Sequence, residues 1–364
     1  LLASADSPVI IAGDGCARSG AVAELVQLAE MLGVRAHSEP LNALLDFPTG
    51  HSLYAGPLVP NAKETRARLE GVDVILIIGA NNLAPLVYTG IRMLPPGVRI
   101  VQVDPDDREI GKNYYADVAI HGDPKSVLEE LNEAIASRLD TAARERIVRR
   151  REATAQRIAA SRAKFAEQAE SARADGPIPP ALAAREMRRA AAGSAVLVDE
   201  AVTSTGYVRA LFELNEPHSY FYAKGGSLGL GLPMAVGVKL AMPDRQVICA
   251  VGDGCSLYTI QGLWTAARYR LGILFVIFNN SSYVILKGGL LAMRGESVKR
   301  GLYVGMDITD PEIDFVKLAE SMGVAARRAV RPSELRPAFD WALSQTGPSL
   351  VDVAISRDVQ SILR

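Results

Sequence analysis

Gly252-Asp253-Gly254 follows one apolar run, and Asn279-Asn280 follows another about two dozen residues later. Asp253 offers a carboxylate oxygen, Asn280 offers an amide oxygen, and the backbone carbonyl of Ser282 can add a third. Mg²⁺ prefers hard oxygen ligands of this kind and is commonly shared with phosphate groups. Glycine at 252 and 254 lets the backbone approach an anion closely, beside the free N–H groups of a helix start. The spacing therefore predicts a magnesium site that anchors a diphosphate.

The elements around the two motifs must bring them together. The runs Gln246–Val251 and Ile273–Phe278 are typical of neighbouring buried parallel strands. Apolar residues between them recur at helical spacing: Leu257, Ile260, Leu263, Trp264 and Ala267. This strand–turn–helix–strand unit places both motifs at the carboxyl edge of one sheet, where open α/β sheets bind ligands.

A second Gly-Asp-Gly string, Gly13-Asp14-Gly15, serves as an internal control. It also follows an apolar run, but no Asn pair ends a strand at the matching distance. That position falls on Leu41-Asn42, just after a proline. We therefore interpret the first string as an ordinary strand–turn–helix with a polar turn.

The order of predicted elements indicates the fold class. Strands alternate with helices in two blocks, which is typical of parallel sheets covered by helices. The predicted elements are strands at Val9–Ala12, Val72–Gly79, Arg99–Asp104 and Ala195–Asp199, and helices near Ala21–Leu32, from Asp123-Pro124 to about Leu139, and near Ala181–Ala191. We predict an α/β protein with two Rossmann-like domains, at 1–140 and 177–364, joined by a charged helical linker at 141–176.

Composition excludes several classes of protein. The 364 residues carry a net charge of -1 with 22% charged residues, so no nucleic-acid partner is predicted. The basic run Arg149-Arg150-Arg151 is interpreted as part of a solvated helix. The three cysteines (Cys16, Cys249 and Cys255) show no metal-ligand spacing and are typical of a reducing compartment. With no signal peptide or membrane-spanning stretch in view, we predict a cytoplasmic protein without membrane contact.

The second block resembles the diphosphate-binding domain of thiamine-diphosphate-dependent 2-oxo acid decarboxylases and acetohydroxyacid synthases, and benzoylformate decarboxylases in particular. Besides the two motifs above, the resemblance rests on Gly226–Pro233, Leu263–Ala267 and Asp199–Thr205. The first block is similar to the middle domain of the same superfamily through Pro8–Gly13, Phe47–Thr49 and Val74–Ala80. The resemblance implies thiamine diphosphate and Mg²⁺ as cofactors.

The resemblance also implies residue roles. Asp253, Asn280 and the Ser282 carbonyl would hold the metal. Leu228 would lie beneath the cofactor, and the carbonyl of Gly226 would accept a hydrogen bond from the aminopyrimidine of the cofactor. An alternative for Leu228 is a core leucine between glycines. The full set implied to contact the cofactor is Thr203, Ser204, Gly226, Leu228, Gly252, Asp253, Gly254, Cys255, Ser256, Asn280, Ser282 and Tyr283.

Several functions remain open. The resemblance implies non-oxidative decarboxylation of a small 2-oxo acid, with acetolactate-synthase-like carboligation as an alternative. It also implies that the N-terminal pyrimidine-binding domain, with its activating glutamate, is absent from this chain, so no catalytic residue is assigned here. A split active site would require a homodimer, a homotetramer or a separate pyrimidine-domain subunit. A non-catalytic cofactor-binding fragment or scaffold is the remaining alternative.

The sequence departs from the family pattern at the substrate pocket. Leu86 stands where benzoylformate decarboxylases have a catalytic histidine, and none of the four histidines (His37, His51, His121 and His218) replaces it; each is predicted to lie in a loop or at the surface. Ile285 and Leu286 are predicted to line the pocket, with core packing of a helix start as the alternative. FAD is not expected, because Gly13, Gly15 and Gly20 depart from dinucleotide-binding spacing.

Overall fold

The computed structural model describes residues 1–170 and 176–358. Within these ranges the chain divides into two units, the first made of 1–163 with 214–218 and the second of the remaining described residues. Residues 171–175 of the predicted linker and 359–364 of the predicted second domain lie outside the described residues. The domain boundaries drawn from the sequence stay a prediction.

Every named strand belongs to one of two parallel sheets. The strands are β1 (Pro8–Ala12), β2 (Ala36–Ser38), β3 (Tyr54–Pro57), β4 (Val74–Ile78), β5 (Arg99–Asp104), β6 (Val118–His121), β7 (Val196–Glu200), β8 (Tyr220–Tyr222), β9 (Val247–Gly252), β10 (Ile273–Asn279), β11 (Ala325–Ala329) and β12 (Ser349–Ala354). The helices of the first unit are α1 (Asp14–Arg18), α2 (Val22–Leu32), α3 (Ala62–Arg68) and α4 (Pro124–Ala136), and α5 (Thr141–Glu170) follows. The later helices are α6 (Pro180–Ala190), α7 (Thr205–Leu211), α8 (Gly231–Ala241), α9 (Asp253–Ser256), α10 (Gly262–Arg268), α11 (Val284–Met293), α12 (Glu296–Lys299), α13 (Phe315–Ser321) and α14 (Pro332–Leu343).

The first sheet has the order β3-β2-β1-β4-β5-β6, and all its pairs are parallel. Its central strands β1 and β4 are apolar on both faces, because alternate residues pack into two separate clusters. Ile10 and Leu76 face the cluster that contains α2, whereas Val9 and Ile75 face the other. Burial on both faces explains why these strands are continuous apolar runs in the sequence.

The second sheet has the order β11-β12-β10-β9-β7-β8 and is also parallel throughout. Val247, Cys249 and Val251 of β9 pack into a core with Phe275 and Ile277 of β10. Two six-stranded parallel sheets flanked by helices confirm the predicted α/β fold class.

The boundaries of most predicted elements agree with the structure, and Gly33 ends α2 in the left-handed conformation with φ 63°. The single helix predicted between the two motifs is wrong. The chain forms the short helix α9, then a turn, and α10 begins only at Gly262, so Leu257 and Ile260 lie outside both. Trp264, predicted on the apolar face, is 58% exposed.

The charged segment forms one long helix, α5, and its basic run is only partly solvated. Arg149 and Arg151 are exposed, as expected. Arg150 is half-buried, and its guanidinium donates to the carbonyls of Leu32 and Ala5. The interpretation as a wholly solvated face is therefore wrong for Arg150, which binds the helix to the first unit.

Candidate cofactor site

The candidate site lies at the carboxyl edge of the second sheet, where the strand order reverses. β7 has β8 on one side and β9 on the other, and β10 lies next to β9. The register pairs Glu200 with Val251 and Gly252 with Phe278, so β7, β9 and β10 end side by side. This is the position at which open parallel sheets bind ligands. The segments that follow these three strands contain the predicted metal and diphosphate residues.

Asp253 is the first residue after β9 and is almost fully buried. Its Oδ1 accepts from the N–H of Gly254 at 2.9 Å. Its Oδ2 is buried and accepts no hydrogen bond from any described residue. Burial raises the pKa of this carboxyl, although the backbone N–H groups of Gly254 and of residues 280–282 oppose the shift. A buried carboxylate oxygen without a donor is costly unless a cation or ligand compensates it.

Asn280 and Ser282 follow β10 in a loop with fixed geometry. Asn280 Oδ1 accepts from the N–H of Ser282 at 3.1 Å, and Ser281 between them has a left-handed φ of 50°. Ser282 pairs with Asp307 in an isolated antiparallel bridge, whose hydrogen bonds use the carbonyl of Ser281 and the N–H of Tyr283. The bridge thus holds the loop while it leaves the carbonyl of Ser282 out of the pairing.

These residues fit a magnesium ion that is shared with a phosphorylated cofactor. Among residues 1–170 and 176–358, no three His, Cys, Asp or Glu side chains group as metal ligands. The oxygen set here is one carboxylate, one amide and one backbone carbonyl, which leaves room for phosphate oxygens and water in an octahedron. The orphaned Oδ2 of Asp253 is the structural observation that supports this fit.

The segment after β7 forms another wall of the site. A 3₁₀ turn covers Val202–Ser204, and Val202 has a left-handed φ of 50°, which is uncommon for a β-branched residue. Ser204 is buried, and its Oγ has no partner among the described residues. Thr203 is half-buried. Strained backbone and an unpartnered hydroxyl at a ligand-binding edge are consistent with the predicted diphosphate contacts.

The first turn of α9 offers backbone donors rather than a reactive thiol. Cys255 and Ser256 are buried, and Ser256 Oγ donates to the carbonyl of Asp253 at 2.7 Å. Burial raises the pKa of the Cys255 thiol to about 12, so the thiol stays neutral. Cys255 therefore offers an anion its backbone N–H group and a weak S–H donor, and no thiolate. Gly254 is required here, because a Cβ would lie 2.7 Å from the Tyr283 ring.

The glycine-rich segment 225–231 is held by Glu200, the last residue of β7. The buried Glu200 carboxylate accepts from the N–H groups of Gly229 at 2.7 Å, Leu230 at 3.1 Å and Gly231 at 2.8 Å. Burial raises the pKa of Glu200, and these three hydrogen bonds oppose the shift. Thr259 Oγ1 donates to the carbonyl of Gly229 at 2.7 Å and fixes the segment from its other side.

The residues predicted to face the cofactor and substrate differ in exposure. Leu228 is 46% exposed and Gly226 is exposed, so the core-leucine alternative for Leu228 is wrong. At the start of α11, Ile285 is half-buried and Leu286 is 52% exposed, whereas Val284 is the residue that packs inward. Core packing therefore does not account for Leu286.

Leu86 belongs to the first unit, where it is 66% exposed and its N–H donates to the carbonyl of Pro60. Its assignment to the substrate pocket stays a prediction. The prediction for the histidines is wrong at His37, which is buried in β2 with its Nδ1 2.9 Å from the carbonyl of Gly56.

Sequence reasoning assigned no role to three polar residues near the site: Glu200, Asn279 and Asp352. All three are buried. A signal was present, because Asp352 interrupts the apolar strand β12 and Glu200 ends the apolar strand β7. Buried polar groups in such strands require partners, but their partners are distant in sequence.

Comparison with known proteins identifies the family to which this fold and site belong. The model "Thiamine pyrophosphate enzyme, C-terminal TPP binding domain" matches residues 200–353, which include all the predicted cofactor residues. The model "Thiamine pyrophosphate enzyme, central domain" matches residues 1–131. Together the two matches cover more than half of the chain. The chain belongs to the thiamine pyrophosphate enzymes, and the predicted family is confirmed.

Particular relatives include decarboxylases and synthases. Benzoylformate decarboxylase of Pseudomonas aeruginosa is 32% identical over 359 residues, which are 97% of this chain and 62% of that protein. A Methanocaldococcus jannaschii protein named "Probable acetolactate synthase large subunit" is 29% identical over 367 residues, 98% of this chain and 58% of that protein. This chain therefore spans about three fifths of the length of each of these relatives.

A solved structure shows a similar arrangement. The thiamine-diphosphate-dependent 4-hydroxybenzoylformate decarboxylase of Rhodococcus jostii RHA1 has a TM-score of 0.80 at 30% identity. The similarity covers 98% of this chain and 63% of that one.

No helix in the described part of the present chain has the length and apolar character needed to cross a membrane.

Proposed function

We propose that the protein takes part in the magnesium- and thiamine-diphosphate-dependent non-oxidative decarboxylation of a small 2-oxo acid. The observation that carries the proposal is the buried, unpartnered Oδ2 of Asp253 beside the Asn280–Ser282 loop, at the edge where β9 and β10 end. The benzoylformate decarboxylase and 4-hydroxybenzoylformate decarboxylase named above support the choice of a 2-oxo acid.

Each part of the site has a proposed task. Asp253, Asn280 and the Ser282 carbonyl hold Mg²⁺, while Thr203, Ser204 and the N–H groups of α9 bind the diphosphate. When bound, thiamine diphosphate supplies an electron sink for the carbon from which carbon dioxide leaves. Glu200 holds the segment that presents Gly226 and Leu228 to the rings of the cofactor. These residues orient the reacting groups, and the burial of Asp253, Asn280 and Ser282 limits access of water to the metal.

Residues at the start of α11 are proposed to face the substrate. Ile285 and Leu286 present apolar surface close to the metal loop, and Leu86 is assigned to the same pocket by the family resemblance. An apolar lining suits the hydrocarbon part of a 2-oxo acid. A glutamate that activates the aminopyrimidine is expected from a pyrimidine-binding domain, which a second subunit or another part of the polypeptide would supply.

Carboligation of the acetolactate-synthase kind is a second candidate, favoured by the similarity to the Methanocaldococcus jannaschii protein over 98% of this chain. The two reactions differ in whether the activated carbon accepts a proton or attacks a second carbonyl. A panel of 2-oxo acids, tested on the complete protein for carbon dioxide, aldehyde and hydroxyketone products, separates them.

The magnesium site is tested by Asp253→Ala. Because this change removes the only carboxylate in the proposed ligand set, we expect Mg²⁺-dependent affinity for thiamine diphosphate to fall at least about tenfold. Isothermal titration calorimetry with and without Mg²⁺ measures this effect, and chelation of Mg²⁺ from the unsubstituted protein should reproduce it.

Asp244→Ala is the matched control, because Asp244 is exposed in the turn before β9. This variant should bind the cofactor as the unsubstituted protein does. Unchanged affinity in Asp253→Ala, with a circular dichroism spectrum that shows an intact fold, would contradict the proposed metal site.

A further inference from the structure

The first asparagine of the Asn279-Asn280 pair is bound to a buried acid on a neighbouring strand. β10 and β12 are paired in parallel, and Asp352 lies within β12 with its side chain 1% exposed. Asn279 Nδ2 donates to Asp352 Oδ1 at 2.9 Å. The apolar residues around Asp352 in β12 offer no side-chain hydrogen bond, so this contact defines the position of the carboxylate.

The carboxylate fixes the orientation of the Asn279 amide. Burial raises the pKa of Asp352 to about 6. Above that pH the ionised carboxylate only accepts hydrogen bonds, so the NH₂ group of Asn279 faces Asp352. The amide oxygen is thereby directed to Ser281, where it accepts from the N–H at 3.0 Å and from Oγ at 3.2 Å. Rotation of the amide by half a turn would place two acceptors against each other and leave the N–H of Ser281 without its acceptor.

The contact with Ser281 supports a strained turn. Ser281 has a φ of 50°, a conformation that non-glycine residues seldom adopt without local hydrogen bonds. The residues on either side of this turn are Asn280 and Ser282, which are the two proposed loop ligands of Mg²⁺. The position of both therefore depends on the hydrogen bonds that Asn279 makes.

We infer that Asp352 and Asn279 are positioning residues of the magnesium loop, with Asp352 orienting Asn279 and Asn279 holding the turn that presents Asn280 and Ser282. This inference rests on the proposed function. It divides the asparagine pair into one residue that binds the metal and one that shapes the loop.

A purely stabilising role for Asp352 would depend on Arg328 instead. Arg328 Nε lies 3.4 Å from Asp352 Oδ2, but the arginine side chain is 36% exposed, and Oδ2 has no hydrogen bond within the described residues. The exposed side of the Arg328 guanidinium can bind water instead, so this ion pair constrains the carboxylate less than a buried hydrogen bond does. The buried hydrogen bond to Asn279 is the stronger contact, and it leads to the loop.

The test is an exchange of the two side chains. Asn279→Asp places two buried carboxylates together, and Asp352→Leu removes the acceptor while it keeps the same branched shape. Each should lower Mg²⁺-dependent affinity for thiamine diphosphate at least about tenfold. In the double variant Asn279→Asp with Asp352→Asn, the amide at position 352 can donate to one carboxylate oxygen at position 279. The other carboxylate oxygen at position 279 can accept from Ser281. The double variant should recover most of the affinity lost in Asn279→Asp.

Hydrogen exchange of residues 280–283 in the metal-free protein provides a readout that does not require cofactor. Protection should fall in Asn279→Asp and in Asp352→Leu and return in the double variant. Asp340→Asn, on an exposed helix position paired with Arg336, is the control and should change neither readout.

The outcomes distinguish this inference from the proposed function. If the unsubstituted protein binds thiamine diphosphate without regard to Mg²⁺, the proposed function fails. If its binding requires Mg²⁺ but Asp352→Leu binds equally well, or the double variant is no better than Asn279→Asp, the positioning role is overturned. Thermal unfolding above the titration temperature in every variant ensures that affinity is compared between folded proteins.

Discussion

Glu200 shows how one buried side chain can determine the shape of a ligand-binding segment. Its two carboxylate oxygens accept from three successive N–H groups, at residues 229 to 231, just before and at the start of α8. The contact is so close that a Cβ on Gly231 would lie 2.8 Å from Glu200 Oε2. The carboxylate therefore occupies the helix start and fixes the backbone of residues 229–231, which directly follow Leu228.

Glu200→Gln tests this role, because it replaces one carboxylate oxygen with an NH₂ group. The amide has only one acceptor oxygen, so at least one of the three N–H groups loses its partner, at a cost of about 1–3 kcal/mol. Since Leu228 and Gly226 are proposed to contact the rings and not the diphosphate, affinity for thiamine diphosphate should fall about tenfold. Affinity for inorganic diphosphate with Mg²⁺ should stay the same. Calorimetric titration with both ligands measures the difference.

Glu320→Gln, on the exposed face of α13, provides the matched substitution and should alter neither affinity. Equal losses for thiamine diphosphate and for inorganic diphosphate would show that Glu200 supports the whole site and not the glycine-rich segment alone. If neither affinity fell, Glu200 would have no role in cofactor binding.

The residues of the site differ in how far sequence can predict them. The places of Asp253 and Asn280 were predictable because both directly follow strands that the sequence indicates clearly, and their oxygens are of the type that a Mg²⁺ site requires. Glu200 and Asp352 were not, because their roles depend on hydrogen bonds to residues that lie 29 and 73 positions away. Local sequence gives the type of such a residue but not its partner.

Among the secondary-structure elements, the strands were easier to predict than the connections between them. β4 and β10 are nearly continuous apolar runs, because parallel strands are buried on both faces. The helix predicted from Leu257 to Ala267 failed because apolar spacing alone does not show where a chain turns. Residues 257–261 pass between α9 and α10, and Thr259 there binds the glycine-rich segment.

β2 contains a further departure from sequence expectation, His37, which is buried beside β1 and β3. Its Nδ1 faces the carbonyl of Gly56, so Nδ1 carries the proton and the ring is neutral. The pKa of His37 is lowered to about 3, chiefly by burial; Arg35 and Arg68 act in the same direction, and the hydrogen bond to Gly56 opposes them. A lone histidine with apolar neighbours is thus a structural residue of the sheet.

His37→Asn is expected to reduce the acid sensitivity of the fold. The unfolded state binds a proton below the ordinary histidine pKa of 6.5, whereas the folded state does not until about pH 3. Stability from this group is therefore present above pH 6.5 and is lost as the pH falls towards 3. Between pH 7 and pH 5 the loss should be about 2 kcal/mol in the unsubstituted protein and absent in the variant. Urea unfolding followed by circular dichroism measures it, and equal pH dependence in both proteins would contradict a buried neutral His37.

At the scale of the whole molecule, each of the two parallel α/β units has its own switch point, and the two switch points contain different residues. In the second unit, the orphaned Oδ2 of Asp253 and Oγ of Ser204 lie at the end of the sheet. In the first unit, the loops after β1 and β4 are in direct contact, since a Cβ on Gly13 would lie 2.4 Å from the carbonyl of Gly79. The glycines of the first Gly-Asp-Gly string thus serve backbone packing.

An internal carboxylate occupies the switch point of the first unit. Glu39 accepts from the N–H groups of Asp14 at 3.3 Å, Asn81 at 2.9 Å and Asn82 at 2.6 Å. These are the kind of backbone donors that bind the diphosphate of a dinucleotide in other Rossmann-like domains. The nearby cavity of about 350 Å³ is lined by further acidic residues, namely Asp14, Asp104, Asp106, Glu109 and Asp123.

We therefore expect the second unit to bind a diphosphate and the first unit not to bind one. Because Glu39 uses the backbone donors and the acidic lining repels phosphate, FAD should not protect residues 13–16 or 79–82 from hydrogen exchange. Thiamine diphosphate with Mg²⁺ should protect residues 200–205, 226–231, 252–256 and 280–283, which form the proposed site and include the unpartnered oxygens of Ser204 and Asp253. Mass spectrometry of exchange in the presence of each ligand locates the binding, and the purified protein should show no flavin absorption band. Protection of residues 13–16 by FAD would mean that Glu39 yields its donors to a ligand, and the first unit would then be a second cofactor domain.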